Sequence, residues 1–222
     1  MLRKLTELRV LKAIIDLSSD ADNTDTDKIH FINDTLFNAL TPKEIDKFTK
    51  IFFSYPGFQA AFTGKRPPRH DLDALGNLPK NTLGWAYAHF MKVNNFVIDW
   101  YPPMEEKSAL HFARNRMYQT HDILHTITGF GSGSFNEMAL QGFCAGQEIP
   151  NATTMSTIAA AALNLLRDNS PEKSSKFLNY LSTGYEMGKS ADKIVFYNWE
   201  DYFDEDIDDL RRKLKVKLPS NI

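Results

Sequence analysis

A chain of 222 residues is within reach of one hydrophobic core, and 42% hydrophobic with 24% charged residues is a globular composition. Its 26 basic and 28 acidic residues leave a net charge of −2, which carries no electrostatic footprint for nucleic acid. The single cysteine, Cys144, excludes an internal disulfide and any zinc site built from several thiolates, so a metal here would need nitrogen and oxygen ligands.

"KLTELRVLKAIIDLSS", at residues 4–19, places Leu5, Leu8, Leu11 and Ile15 at helical spacing, followed by the polar run "SSDADNTDTD". This amphipathic helix is basic at its start, which suits either docking on a core or contact with a membrane surface. Thr41-Pro42-Lys43-Glu44 then marks a helix start: a threonine cap, proline at the first position and glutamate at the third. That helix is expected to run through "PKEIDKFTKIFFS" and stop before Pro56-Gly57. "GKRPPRHD" (64–71) is a connector, and 81–96 is helical again. Residues 106–128 form a long helix ending at Gly129. Further helices follow at 137–147, 152–167 and 171–188, with a last one ending near Lys215. "KIVFYNW" (193–199) has strand-like content but no partner strand, and is read as a helix or an extended connection. The expectation is one all-α domain, 1–222, of about eight helices.

"TIAAAALNLL" (157–166) is the longest apolar run and falls short of the ~20 residues that a membrane span needs. The first residues also lack the apolar core of a signal peptide. The expected location is cytoplasmic and peripheral to a membrane.

"HDILHTITGFGSGSFNE" (121–137) carries the chemistry. His121 and His125 lie about 40° apart on a helix, one turn above the other, and Asp122 is within about 100° of the same arc. The spacing is like that of the HExxH helix, whose two histidines hold zinc while the intervening acid works on water. Glu137 could add a ligand once the loop with Gly129, Gly131 and Gly133 turns the chain back, since glycine tolerates the positive φ that such a reversal needs. Near the start of its own helix Glu137 would gain from the macrodipole. "GFGSGS" lacks the lysine-threonine tail of a phosphate-binding loop and follows a helix, so it reads as turn chemistry. On spacing alone, a metal site and two histidines on a half-exposed helix are equally good readings.

HDxxH-x11-E, present as His121, Asp122, His125 and Glu137, resembles the signature of the fourth coenzyme-Q (ubiquinone) biosynthesis protein family. The similarity extends upstream to Arg66-Pro67, Leu83-Gly84, Tyr87, Phe90, Val93-Asn94 and Arg116, and downstream to Gln147, Pro150, Trp199-Glu200 and "DLRRKL" (209–214). It is clearest over 57–216. Three positions depart from the family pattern: Asn136 stands for a glycine, Cys144 for an acid and Tyr118 for an arginine.

The resemblance implies an all-helical quinone-biosynthesis protein that binds a polyprenylated aromatic precursor or prenyl phosphate and works beside other enzymes of the pathway. It implies a metal-dependent oxidative decarboxylase, a lyase acting on a prenylated hydroxybenzoate, with a non-catalytic lipid-binding scaffold as the alternative. Zinc is the first expectation for the metal, with iron or magnesium as alternatives; Asp122 is the expected catalytic acid. Arg66 and Arg116 are candidates for a headgroup carboxylate or phosphate, although structural ion pairs suit them equally. Leu83, Tyr87, Phe90 and Met91, with Ala159 to Ala162, are candidates for an apolar tail groove, against ordinary core packing. A homo-oligomer is a further expectation. A histidine-aspartate phosphohydrolase is the weakest reading; it would draw further ligands from His89 or His111.

Overall fold

The computed structural model describes residues 2–18, 26–64, 69–98, 105–149 and 152–220. Arg66, Pro67 and Pro150 of the family pattern, and residues 19–25 of the polar run, lie outside them. The described chain is all-helical: α1 (Leu2–Leu17), α2 (Thr26–Asn38), α3 (Pro42–Ser54), α4 (Phe58–Thr63), α5 (Leu72–Gly76), α6 (Leu83–Val93), α7 (Ala109–Thr128), α8 (Ser134–Gly146), α9 (Ala152–Asp168), α10 (Pro171–Ser190) and α11 (Ile207–Lys213), with a 3-10 turn at Trp199–Tyr202. Among the described residues no strand forms, and one isolated bridge joins Thr82 to Asp206.

Among the described residues eleven α-helices stand where about eight were expected, the additions being α2, α4 and α5. α4 and α5 are too short for a hydrophobic period to show. α5 exists through its cap, with Asp71 Oδ1 accepting from the amides of Asp73 and Ala74 at 3.1 and 3.0 Å. α2 starts next to the polar run, and its apolar residues Ile29, Ile32 and Leu36 face a small second core. The expected start of α3 is a full capping box: Thr41 Oγ1 accepts from the Glu44 amide, and the Glu44 carboxylate accepts from the Thr41 amide at 2.8 Å.

The main core is aromatic. Phe58 is fully buried and meets the rings of Phe52, Phe112 and Phe196 at 5.6, 5.3 and 5.0 Å, tying α3, α4 and α7 to the 193–199 segment. That segment is neither a strand nor a regular helix: a turn at Val195 and Phe196, closed by the Tyr197 amide on the Ile194 carbonyl at 3.0 Å, leads into the 3-10 turn at Trp199, and Ile194, Val195, Phe196 and Trp199 are wholly buried. Buried loop backbone must find hydrogen-bond partners, and Gln147 supplies them. Its Oε1 accepts from the Ile194 amide at 2.8 Å, and its Nε2 donates to the carbonyls of Gly188 and Asp192.

The second core joins Val10, Ala13 and Leu17 of α1 to Ile32 of α2 and Ala160 of α9. The stripe expected to dock α1 therefore faces outward, with Leu8, Leu11 and Ile15 at 62, 52 and 40% exposure. α1 carries apolar side chains on two opposite faces, and the face that nests with α2 and α9 won. α8 and α10 cross at near backbone contact. A β-carbon at Gly142 or Gly146 would collide with the carbonyl of Leu181 or Tyr185, and one at Gly184 or Gly188 with that of Ala139 or Phe143. This crossing holds the helix that bears Glu137.

Candidate metal centre

α7 begins with Ser108 capping the His111 amide and ends at Gly129, whose φ of 75° closes the helix while its amide bonds the His125 carbonyl. The other loop glycines need no such freedom: Gly133 caps α8 at φ −78°, and positive φ among the glycines is confined to Gly57 and Gly129 within the described residues. The reversal brings Glu137, in the first turn of α8, against the last turns of α7.

His121, Asp122 and His125 each offer a ligand atom within 4.8 Å of the others, a grouping that could hold a metal ion. Glu137 meets both rings. Its Oε2 lies 3.1 Å from His125 Nε2 and its Oε1 3.5 Å from His121 Nε2. The opposite ring nitrogens are also occupied, His125 Nδ1 by the Phe130 carbonyl at 3.2 Å and His121 Nδ1 by Asp122 Oδ1 at 3.2 Å. Gln141, one turn beyond Glu137, donates to Glu137 Oε1 at 2.6 Å. His125 is 3% exposed, whereas His121 and Glu137 are 28 and 30% exposed, so the cluster is anchored at His125 and open on the other side. Two imidazoles with carboxylates suit zinc or iron, and an open side is what a substrate-binding metal needs.

Electrostatics follow from the packing. Burial opposes ionisation of both His121 and Glu137, yet their mutual attraction outweighs it. With the Asp122 hydrogen bond added, His121 is held up to about 10, and Glu137 falls well below the usual carboxylate range. Cys144 lies two turns beyond Glu137; burial first, then the Glu137 charge, pushes its thiol up to about 12.

The remaining candidate residues divide. Phe90 stacks on His125, with centroids 5.5 Å apart, and so borders the cluster. Leu83, Tyr87 and Met91 lie in the main core at 0, 2 and 0% exposure. Arg116 is wholly buried and grips Glu200 with both Nη atoms at 2.8 and 2.7 Å, while His70 Nε2 lies 2.9 Å from the same carboxylate. His89 stacks on Trp85, and His111 bonds Ser108 and packs on Phe37. Gln141 and the Phe130 carbonyl escaped sequence reasoning. Gln141 was findable by its four-residue spacing from Glu137; a backbone carbonyl leaves no sequence signal.

Fold and cluster together define the class: an all-helical protein with a His-Asp-His group, able to hold a metal, at a helix–loop–helix corner. The chain belongs to the coenzyme Q (ubiquinone) biosynthesis protein Coq4 family, whose model matches residues 66–220. It is 26% identical to the mitochondrial ubiquinone biosynthesis protein COQ4 homolog of Aedes aegypti, across 67% of this chain and 53% of that protein. It is 30% identical to the mitochondrial ubiquinone biosynthesis protein COQ4 of Saccharomyces cerevisiae, across 68% of this chain and 44% of the relative. The chain thus spans about half the length of the curated relatives it matches. The fold is shared with a crystal structure from Nostoc punctiforme described as a ubiquinone biosynthesis protein, at a TM-score of 0.75 and 24% identity, covering 94% of this chain and 97% of that one. No described helix is long and apolar enough to cross a membrane.

Proposed function

We propose that the chain binds a polyprenylated aromatic acid beside a divalent metal and takes part in its oxidative decarboxylation at the ring carbon. The observation that carries this reading is the convergence of both Nε2 atoms on the two oxygens of Glu137, with one side of the cluster open. His121, Asp122, His125 and Glu137 are the residues that would hold zinc, or alternatively iron or magnesium. When bound, such a metal supplies Lewis acidity toward a ring carboxylate and its neighbouring phenol oxygen. The chain's own groups bind and orient: His125 is locked by the Phe130 carbonyl, and the Phe90 ring shields it from water. Net oxidation requires oxygen or another oxidant from outside the chain.

Phe90 is the proposed contact for the ring or the first isoprene unit, with Leu83, Tyr87 and Met91 as the packed wall behind it. Arg66 is the proposed headgroup partner, since Arg116 is committed to Glu200. The relatives named above carry "mitochondrial" in their names, and nothing in the comparisons favours the expected cytoplasmic location. Peripheral contact with a membrane, where such lipids reside, is part of the proposal, as are other quinone-biosynthesis enzymes and a second copy of the chain as partners.

Incubation of the metal-loaded protein with a prenylated hydroxybenzoate and oxygen, followed by mass spectrometry, tests the activity. Loss of the carboxylate supports the enzyme. Saturable binding without turnover supports instead a scaffold that presents the intermediate to other enzymes.

A further inference from the structure

We propose that Tyr118, held by Asn33, is a specificity-determining residue: it walls the open side of the cluster with an uncharged surface and admits a prenylated aromatic monoacid in preference to a prenyl phosphate. This rests on the prenylated ligand of the reading above and narrows it, since a tail and a metal alone do not separate the two headgroups.

Each residue advances ~100° round an α-helix, so Tyr118 stands one turn before His121, about 60° from it and about 20° from His125. Its side chain therefore leaves α7 on the face that carries the cluster, beside His121, which is 28% exposed. The groups that hold it come from two other helices. Asn33 of α2 donates from Nδ2 to the Tyr118 hydroxyl oxygen, and Thr153 of α9 donates to Asn33 Oδ1 at 2.5 Å. His30 of α2 meets the ring edge-on at 5.6 Å. With Asn33, His30 and Thr154 at 6, 9 and 1% exposure, the seam between α2, α7 and α9 is polar and shielded from water. Asn33 and His30 precede residues 66–220, which the family model matches, so the motif alone does not supply this wall.

The seam has no spare positive charge to give. Burial above all pushes the pKa of the Tyr118 phenol up, which keeps it uncharged. Arg114, one turn earlier on the same face, lies over the Tyr118 ring with Cζ 5.5 Å from the centroid, but its Nη2 is paired with Asp34 Oδ1 at 2.6 Å. Among the described residues the wall thus offers hydrogen bonds and no uncommitted guanidinium or ammonium group. A dication beside the carboxylates of Asp122 and Glu137 is balanced as well. A monoacid brings one charge, which Arg66 could answer. A monophosphate brings nearly two, on the order of −1.5 to −2 at neutral pH, and the second would stay unpaired where water is scarce.

The test is calorimetric titration of the zinc-loaded full chain at about pH 8, where a monophosphate is close to a dianion. Two ligands share one tail: a farnesylated hydroxybenzoate and farnesyl monophosphate. The wild type should bind the acid at least about tenfold more tightly, since an unpaired charge in a shielded site costs at least that much. Tyr118→Arg places a cation in the wall, and Asp34→Asn frees Arg114 from its pair. Each should move the preference toward the phosphate by about tenfold, with zinc content unchanged. Tyr118→Phe adds no charge and should keep the preference for the acid. Melting curves establish that each variant folds; the Asp34 side chain is 50% exposed, so Asp34→Asn decides if Tyr118→Arg does not fold. A wild type that binds the phosphate as tightly as the acid overturns the inference, as does a preference that neither charge-changing variant moves. A wild type that binds neither ligand removes the prenylated-ligand reading itself and this inference with it, a failure visible before any variant is made.

Discussion

At the residue scale, His125 is the anchor of the cluster: almost fully buried, stacked on Phe90 and bonded at both nitrogens. Its replacement by alanine should lower bound metal sharply while leaving helix content near that of the wild type, because the aromatic core lies elsewhere. Elemental analysis beside far-ultraviolet circular dichroism checks both halves. Glu200 belongs to stability. Burial would raise its carboxyl, but hydrogen bonds from His70 and Arg116 and the Arg116 charge hold it far below the usual carboxylate range. A depressed carboxylate stabilises the fold above its unfolded value, 4.5, and that contribution drains away as pH falls through the folded value. Glu200→Gln should cost about 3–5 kcal/mol near neutral pH, since it strands the buried Arg116. The gap to the wild type should close as urea denaturation is repeated in increasingly acid buffer. Cys144, buried and raised to about 12, should resist iodoacetamide in the native protein and react once the chain is unfolded.

At the scale of elements, the α8–α10 crossing decides where Glu137 sits. Gly184→Ala sets a methyl group against the Ala139 carbonyl, a backbone atom that cannot step aside. Overpacking of this kind costs about 1–3 kcal/mol, and relief here requires α8 and α10 to separate. The variant should melt earlier and bind Zn²⁺ less tightly, although it lies 47 positions from Glu137 in the sequence. Unchanged zinc affinity in a destabilised variant would uncouple the crossing from the site. Other elements were legible for local reasons. The Thr41–Glu44 capping box and Pro42 start α3 where expected, and Gly129 ends α7, because caps act within one helical turn. α2 was not legible, since it starts inside the polar run and its apolar residues divide between two cores, Ile29, Ile32 and Leu36 facing the second and Phe37 the main one.

At the scale of the whole molecule, the proposed lipid links the helices around the cluster to function. Each buried methylene is worth ~0.8 kcal/mol, so affinity for a prenylated aromatic acid should climb steeply with tail length. Calorimetry over a series of tail lengths reads this directly, and a flat series would remove the lipid from the proposal. Sequence by itself determined the all-helical class, both ends of α3, the C-terminal end of α7, the His-Asp-His face and the place of Glu137 in the first turn of α8, whereas α7 starts at Ala109 and not at 106. All of these follow from hydrogen bonds and side-chain spacing within a few residues. Only the tertiary structure decided that α1 docks by Val10, Ala13 and Leu17, leaving Leu8, Leu11 and Ile15 outside. It likewise gave Arg116 to a glutamate 84 positions away and, of the four α6 candidates, stacked Phe90 on His125. Two apolar faces of one helix, or two available partners for one guanidinium, are locally equivalent. Packing separates them, because burial against a particular neighbour sets their relative free energies.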